Sequence, residues 1–248
     1  DSLARLVGAR RPRSLAIARD EDWRPEFRVK ALPSYKSHRV AEPVPPGLVP
    51  QLPMIEAVIR AIGLNWIGKP GFEAEDIIAS LARRVDPPIE VYSGDRDLFA
   101  IVRDPEVLIL YPEVKTGLAE VDEAEVERRY GIPGRSYAEF AILRGDPSDG
   151  LPGVPGVGAK TAAGLVRRHK TLDGILAGLD WSDSTRDYIE RARQVVYPVE
   201  DLDLPDPVRR LPGEPADPEG LEKLNRELGI ETSTTRLLNA LRAVSASG

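Results

Sequence analysis

Apolar positions along the chain follow two regimes that change near residue 121. In the first, short apolar runs alternate with stretches spaced by 3 and 4. Ser14–Ala18, Asn65–Gly68, Ile89–Ser93 and Val107–Tyr111 read as strands. Between them, Leu52, Ile55, Val58, Ile59 and Ile62 mark a helix over 49–62, and Ile77, Ile78 and Leu81 a helix over 73–84. Asp95–Val102 reads as a short helix. Strands alternating with helices predict an α/β fold with a mostly parallel central sheet flanked by helices. From 122 onward the spacing is helical, with helices expected near 122–130, 136–144, 159–169, 171–178 and 184–196. Residues 198–218 hold six prolines and read as an extended linker or surface wrap, followed by helices near 218–228 and 232–244. Three stretches result: 1–121, 122–197 and 198–248. The polar, basic segment 20–48 is too long for an ordinary connection, which marks it as functional or mobile. Asp1–Val7 reads as a helix already under way without an initiator Met, so further residues are expected in front of it.

Composition narrows the chemistry. The 248 residues contain no Cys and two His, which excludes disulfides and thiolate sites and disfavours a His-rich zinc site. No apolar run approaches a membrane span and no signal peptide is visible, so a cytoplasmic location is expected. The net charge is −6, but residues 1–39 carry ten Lys/Arg against five Asp/Glu. A basic segment beside an acidic body suggests phosphate contacts near carboxylate-bound cations, although scattered surface charge would look the same.

The acidic residues gather at element ends. Asp20 closes the first strand, Glu73, Glu75 and Asp76 open a helix, Asp95 and Asp97 follow a strand, and Asp146 and Asp149 follow a helix. Each group alone is explained by capping or turn preference. Together they sit where open α/β sheets bind ligands. Converging carboxylates need neutralising cations, and oxygen donors without His or Cys suit Mg²⁺ or Mn²⁺. Two such ions would suit in-line attack on a phosphodiester.

The most distinctive stretch is Leu151–Leu165, with Gly153, Gly156, Gly158, Lys160 and Thr161. A P-loop fails because Ala159 separates Gly158 from Lys160, and G-x-G-x-x-G fails at Thr161. A tight hairpin feeding a helix fits, with backbone N–H groups available to phosphate. An ordinary helix-to-helix turn is the plainer alternative.

These ordered motifs, Gly71–Asp76, Gly94–Asp97, Gly145–Asp149 and Gly153–Thr161, with Phe27-Arg28 and Tyr35–Arg39 before them, resemble the bacterial 5'-3' exonuclease and flap endonuclease family over about residues 14–200. The resemblance implies an α/β nuclease core with a helical arch or clamp at about 22–48 and a helix-hairpin-helix DNA-binding subdomain. No polymerase-like region follows in the sequence, so a stand-alone nuclease is expected. The resemblance implies that Glu73, Glu75, Asp76 and Asp95 serve a first metal and Asp97, Asp146 and Asp149 a second, with Asp20 beside them. It also implies that Arg28, Lys36 and Arg39 meet the scissile phosphate or the single strand, Lys36 stabilising transition-state charge, and that Tyr35 stacks on a base, with plain burial of its ring the alternative. A monovalent cation, K⁺, at the hairpin carbonyls of Val154 and Val157 belongs to the same implication. The partner would be DNA with a 5' flap, a 5' overhang or a nick, cut by a monomer associated with the nucleoid.

Three departures from the family pattern stand out. Glu75 replaces a usual Asp, and Gly150 replaces a usual Asn, removing a hydrogen-bonding side chain. The opening strand with its Asp-Gly-like metal motif and aromatic–Arg pair is not found. Its true absence would impair metal binding. A non-catalytic branched-DNA scaffold and a related metal-dependent ribonuclease or phosphatase therefore stay as alternatives.

Overall fold

The computed structural model describes residues 1–41, 47–114, 117–205 and 210–246. In chain order the described elements are α1 (Ser2–Arg10), β1 (Ala16–Ala18), α2 (Glu26–Ala31), α3 (His38–Ala41), α4 (Gln51–Ile62), β2 (Asn65–Ile67), α5 (Ala74–Arg84), β3 (Ile89–Tyr92), β4 (Val107–Glu113) and β5 (Gly117–Val121). Then follow α6 (Glu123–Tyr130), α7 (Tyr137–Arg144), α8 (Ala159–His169), α9 (Leu172–Gly178), α10 (Asp183–Val196), α11 (Pro218–Leu228) and α12 (Glu231–Ser245). Short 3-10 helices span Asp97–Ile101 and Pro147–Asp149. No helix among the described residues is long and apolar enough to cross a membrane.

The chain packs as two compact units assembled from separated stretches. One comprises Asp1–Arg19, Pro43–Gly68 and Asp203–Gly248. Here β1 pairs in parallel with β2, Ile17 opposite Trp66. The apolar stripe of α4 puts Ile59 and Ile62 into a core with Val7 of α1, Leu221 of α11 and Leu237 and Leu241 of α12. Gly63 ends α4 at φ +95°, a left-handed stop that glycine adopts without a Cβ penalty.

The other unit comprises Asp20–Glu42 and Lys69–Leu202. β3 pairs in parallel with β4, and β4 turns back antiparallel into β5. Parallel pairing thus occurs in both units. β5, a strand the hydrophobic pattern does not announce, adds an antiparallel edge: only Val121 of its five residues is buried. The core joins Phe99, Ile109, Val126, Phe140, Ile142 and Leu143. Phe99 meets Tyr111 and Tyr137 edge-on at 5.4 and 5.5 Å between ring centroids, a geometry the ring quadrupole favours. Side-chain caps begin the helical part: Asp122 accepts from Glu125 N–H ahead of α6, Thr171 from Gly174 ahead of α9, and Ser182 from Thr185 ahead of α10.

The expected arch segment holds α2 and α3; its residues 42–46 lie outside the described residues. The expected linker is packed where described. Val199 and Leu202 donate their N–H groups to the side chains of Asp76 and Ser80 on α5. Residues 206–209 of it lie outside the described residues.

Candidate active site

Every carboxylate singled out by the sequence lies in the unit that begins at Asp20. Glu73 is the N-cap of α5, and its capping box with Asp76 fixes the first turn of that helix. Asp20 is exposed and accepts a 2.7 Å hydrogen bond from Ala74 N–H at the same helix start. Beyond β3, Ser93 Oγ accepts from Asp95 N–H, and Asp95 Oδ1 accepts from Asp97 N–H at 2.9 Å. Buried Leu98 and Phe99 then anchor the 3-10 helix carrying Asp97. After α7, Asp146 caps the 3-10 turn that ends in Asp149.

Among the described residues, Glu75, Asp95 and Asp97 form the one set of three that could hold an ion, with one oxygen from each within 4.8 Å of the others. Asp149 extends the set, its carboxyl hydrogen-bonded to that of Asp97. Burial raises the Asp97 carboxyl well above the carboxylate range, reinforced by Asp149, Asp95 and Glu75. Burial also pushes Glu75 up to about 8, with Glu73 and Asp95 adding and Arg28 and Lys36 opposing. Carboxyls so crowded require a proton or a cation between them. The donors are all hard oxygens, which fits a divalent cation such as Mg²⁺ or Mn²⁺.

Four expected ligands are otherwise engaged. Asp76 is fully buried and shares the Arg28 guanidinium with Glu75, whose Oε1 lies 3.2 Å from the nitrogen that meets Asp76 Oδ1. Its Oδ1 accepts from Arg28 at 2.7 Å and Val199 N–H at 2.8 Å, its Oδ2 from Arg28 at 2.9 Å and Glu73 N–H at 3.1 Å. Those four bonds use its acceptor capacity and leave none for a metal. Glu73 is held by Arg28 at 2.5 Å, by the Tyr35 hydroxyl at 2.6 Å and by the Lys36 ammonium. Asp146 accepts from Ser148 N–H and Oγ and from Arg144 at 3.0 Å. Asp20 serves the start of α5.

The cations also divide. Arg28 has no exposure; besides Glu73, Asp76 and Glu75, the last at 3.2 Å, it gives Nε to Val195 O at 3.0 Å. It therefore ties α2 to α5 and α10 and has no face for the phosphate contact expected of it. Tyr35 likewise is buried with Leu32, Leu151 and Val195, so the expected base-stacking surface is absent. Lys36 does reach the site, on a backbone turned to φ +47°. Burial pulls its ammonium down, but Glu73, Glu75 and Asp149 outweigh that and hold it charged. Arg39 stands over Asp149 at 3.4 Å with its side chain 44% exposed, open to a ligand.

Sequence reasoning missed Arg24, which donates to the carbonyls of Pro33 and Tyr35 and braces the Lys36 turn. It also missed Arg144 and Arg96, at 3.0 and 3.8 Å from Asp146. Their positions inside or against the Gly94–Asp97 and Gly145–Asp149 motifs were the available signal. Phe27 and Trp23 are the exposed aromatic residues of this segment, at 37% and 40%.

The glycine-rich hairpin joins α7 to α8. Val154 N–H reaches back to Leu143 O, and Val157 N–H to Val154 O. Gly153 was expected to face DNA, but it is buried. Its N–H goes to the Tyr188 hydroxyl, and a Cβ there would stand 2.6 Å from Arg144 O. Gly156, Gly158, Lys160 and Thr161 are exposed. Beside them lies a recess of about 300 Å³ lined by Arg129, Arg144, Lys160 and Arg167 without a carboxylate.

The carboxylates set a pH dependence. Glu75 keeps its proton in the folded chain to about pH 8, whereas its ordinary value is 4.5. Below pH 4.5 both states are protonated and nothing is lost. Between about 4.5 and 8 the unfolded chain has released a proton the folded chain retains, so stability falls with rising pH, by at most about 1.4 kcal/mol per unit for one group. Thermal melts in chelator should therefore drop from pH 5.5 to 8, and Mg²⁺ or Mn²⁺ should restore more at pH 8. A flat melting temperature with no cation response would contradict the cluster.

Comparison with known proteins gives the chain's family. Residues 1–131 match the N-terminal resolvase-like domain of the 5'-3' exonucleases, and residues 132–217 their C-terminal SAM fold. A 5'-3' exonuclease of Mycobacterium tuberculosis is 44% identical, the match covering 97% of this chain and 86% of that protein. DNA polymerase I of the same organism is 34% identical, with 97% of this chain spanning 28% of the polymerase. In fold, the chain is similar to the bacteriophage T5 flap endonuclease crystallised with DNA and metal ions, at a TM-score of 0.61 and 16% identity over 97% of this chain and 88% of that one. With both halves of one family description matched in order, and a relative this similar along nearly its whole length, the chain belongs to the 5'-3' exonuclease family.

Proposed function

We propose that the chain is a divalent-metal-dependent, structure-selective 5' nuclease that hydrolyses DNA phosphodiesters. The observation that supports this most is the convergence of Glu75, Asp95 and Asp97, extended by Asp149, beside the charged ends of Lys36 and Arg39. Carboxylates alone would repel a phosphodiester, and two cations at their edge give it somewhere to bind.

In this reading Glu75, Asp95 and Asp97 hold a first Mg²⁺ or Mn²⁺, and Asp149 with Asp97 a second. Bound divalent ions supply Lewis-acid activation of water and neutralisation of the leaving oxygen. The carboxylates fix the geometry of attack and take up the proton that water releases. Lys36 stabilises charge building on the phosphoryl oxygens, and Arg39 orients the phosphate. A P–O bond to water forms as the P–O3' bond breaks, leaving a 5'-phosphate and a 3'-hydroxyl.

The hairpin supplies position. Exposed Gly156, Gly158, Lys160 and Thr161, with the basic recess beside them, contact duplex backbone without reading sequence. A K⁺ ion at the carbonyls of Val154 and Val157 belongs to the same reading. The substrates are DNA with a 5' flap, a 5' overhang or a nick, acted on by a monomer in the nucleoid-bearing cytoplasm.

Comparing a 5'-flap DNA, the matched RNA and a small aryl phosphate ester under Mg²⁺ or Mn²⁺ tests the substrate class. Flap DNA should be cut at least tenfold faster than either, and its binding should weaken as salt rises. Preference for RNA or for the ester would contradict the reading, as would binding that ignores salt.

A further inference from the structure

We propose that Gly150 is a positioning residue for the reaction: lacking a side chain, it lets the Ser34–Lys36 turn close onto the Asp149 backbone and so sets the Lys36 ammonium among the carboxylates. The inference rests on reading that cluster as the cleavage site.

Gly150 follows the 3-10 turn that carries Asp149 and has φ +71°. A Cβ on it would stand 2.0 Å from the Ser34 carbonyl oxygen, 2.9 Å from its carbon and 3.3 Å from Lys36 N. All three are backbone atoms, so no change of rotamer relieves the overlap. The approach is used: Lys36 N–H donates to Asp149 O at 2.9 Å.

The rest of the turn is held by bonds. Arg24 donates to Tyr35 O at 2.7 Å and to Pro33 O at 3.0 Å, and the buried Tyr35 gives its hydroxyl to Glu73. Among the described glycines, Gly150 is the one whose missing Cβ makes room for the turn. From this backbone the Lys36 ammonium, almost fully buried, meets Glu73 and lies in the field of Glu75 and Asp149. Glycine, where the family resemblance carries asparagine, therefore does more than remove a hydrogen-bonding group. An asparagine here would drive its Cβ into Ser34.

The test uses Gly150→Ala, Gly150→Asn, Lys36→Ala and the Gly150→Ala/Lys36→Ala double variant. Turnover of a 5'-flap DNA, flap affinity in chelator and thermal melts are measured for each. Both Gly150 variants should lose roughly 10- to 100-fold in kcat, since about 1 Å of misplacement costs that much, with KM and chelated affinity changed less than about twofold. The double variant should be no slower than Lys36→Ala alone, because no ammonium is left for Gly150 to position. Asn tolerates positive φ, so failure of Gly150→Asn to rescue separates the Ser34 contact from backbone strain. Wild-type turnover in Gly150→Asn, or losses that multiply in the double variant, would overturn the inference. Should neither Gly150 variant fold, Arg24→Ala loosens the same turn without adding an atom. It should likewise be non-additive with Lys36→Ala, and additivity would overturn the inference. A folded wild-type protein that cuts no flap overturns the underlying nuclease reading, and this inference with it.

Discussion

Replacing Asp97 with asparagine should nearly abolish turnover while making the metal-free protein harder to unfold. The Asp97 carboxyl is pressed by burial and by Asp149, Asp95 and Glu75, and so lies well above its ordinary range. Its ionised form is costly to the metal-free fold. Asparagine keeps the shape, can still hydrogen-bond to Asp149 and stays neutral without having to retain a proton on folding. The melting temperature in chelator should therefore rise, and the further gain on adding Mn²⁺ should shrink. Turnover should fall on the order of 10²- to 10³-fold, the scale of losing a group that stabilises transition-state charge. The paired outcome is the informative one, because a purely structural carboxylate would lose stability when neutralised. Unchanged cleavage, or a lower melting temperature without metal, would contradict its role.

Arg28→Ala should act in the opposite sense, as the most destabilising change available in the site. Arg28 is wholly buried and satisfies Asp76 with both terminal nitrogens, Glu73 and Glu75 with one each, and the Val195 carbonyl through Nε. Its removal strands the fully buried Asp76 charge, and breaking a buried pair from one side costs about 3–5 kcal/mol. Lysine should not rescue it, because an ammonium cannot span both Asp76 oxygens and also reach Val195. Chemical denaturation of both variants measures this. A midpoint close to wild type with selective loss of DNA binding would instead return Arg28 to the phosphate-contact role that its sequence position suggested.

Arg28 and Asp76 also show where the sequence stopped being legible. The helices over 49–62 and 73–84 and the strands at 65–67 and 89–92 followed from apolar spacing, because each buries one stripe or one short run. β5 did not, since a mostly exposed edge strand carries little apolar pattern. The carboxylates were legible as a set, because acids at element ends are visible in one dimension. Their division was not. Asp76 stands next to Glu75 and both meet Arg28, 48 and 47 positions earlier, yet only Glu75 also joins the cluster with Asp95 and Asp97. That outcome depends on how α2 and α10 pack around α5. Tyr35 stayed open between stacking and burial for the same reason: whether its ring is exposed is decided by Leu151 and Val195, more than 100 residues away. Gly150 read only as a missing hydrogen-bonding side chain because its contact with Ser34 spans the same kind of distance.

The most direct test of metal-dependent 5' cleavage is product mapping on a flap junction. A DNA 5' flap labelled near the flap end and again within the duplex would be incubated with the folded protein in Mg²⁺ or Mn²⁺, with a chelated control, and the products resolved by length. The expected result is release of short 5' fragments ending at or near the junction, with 5'-phosphate on the shortened strand, only when the cation is present. Intact DNA with every cation, from protein that binds the flap in a salt-dependent manner, would contradict it.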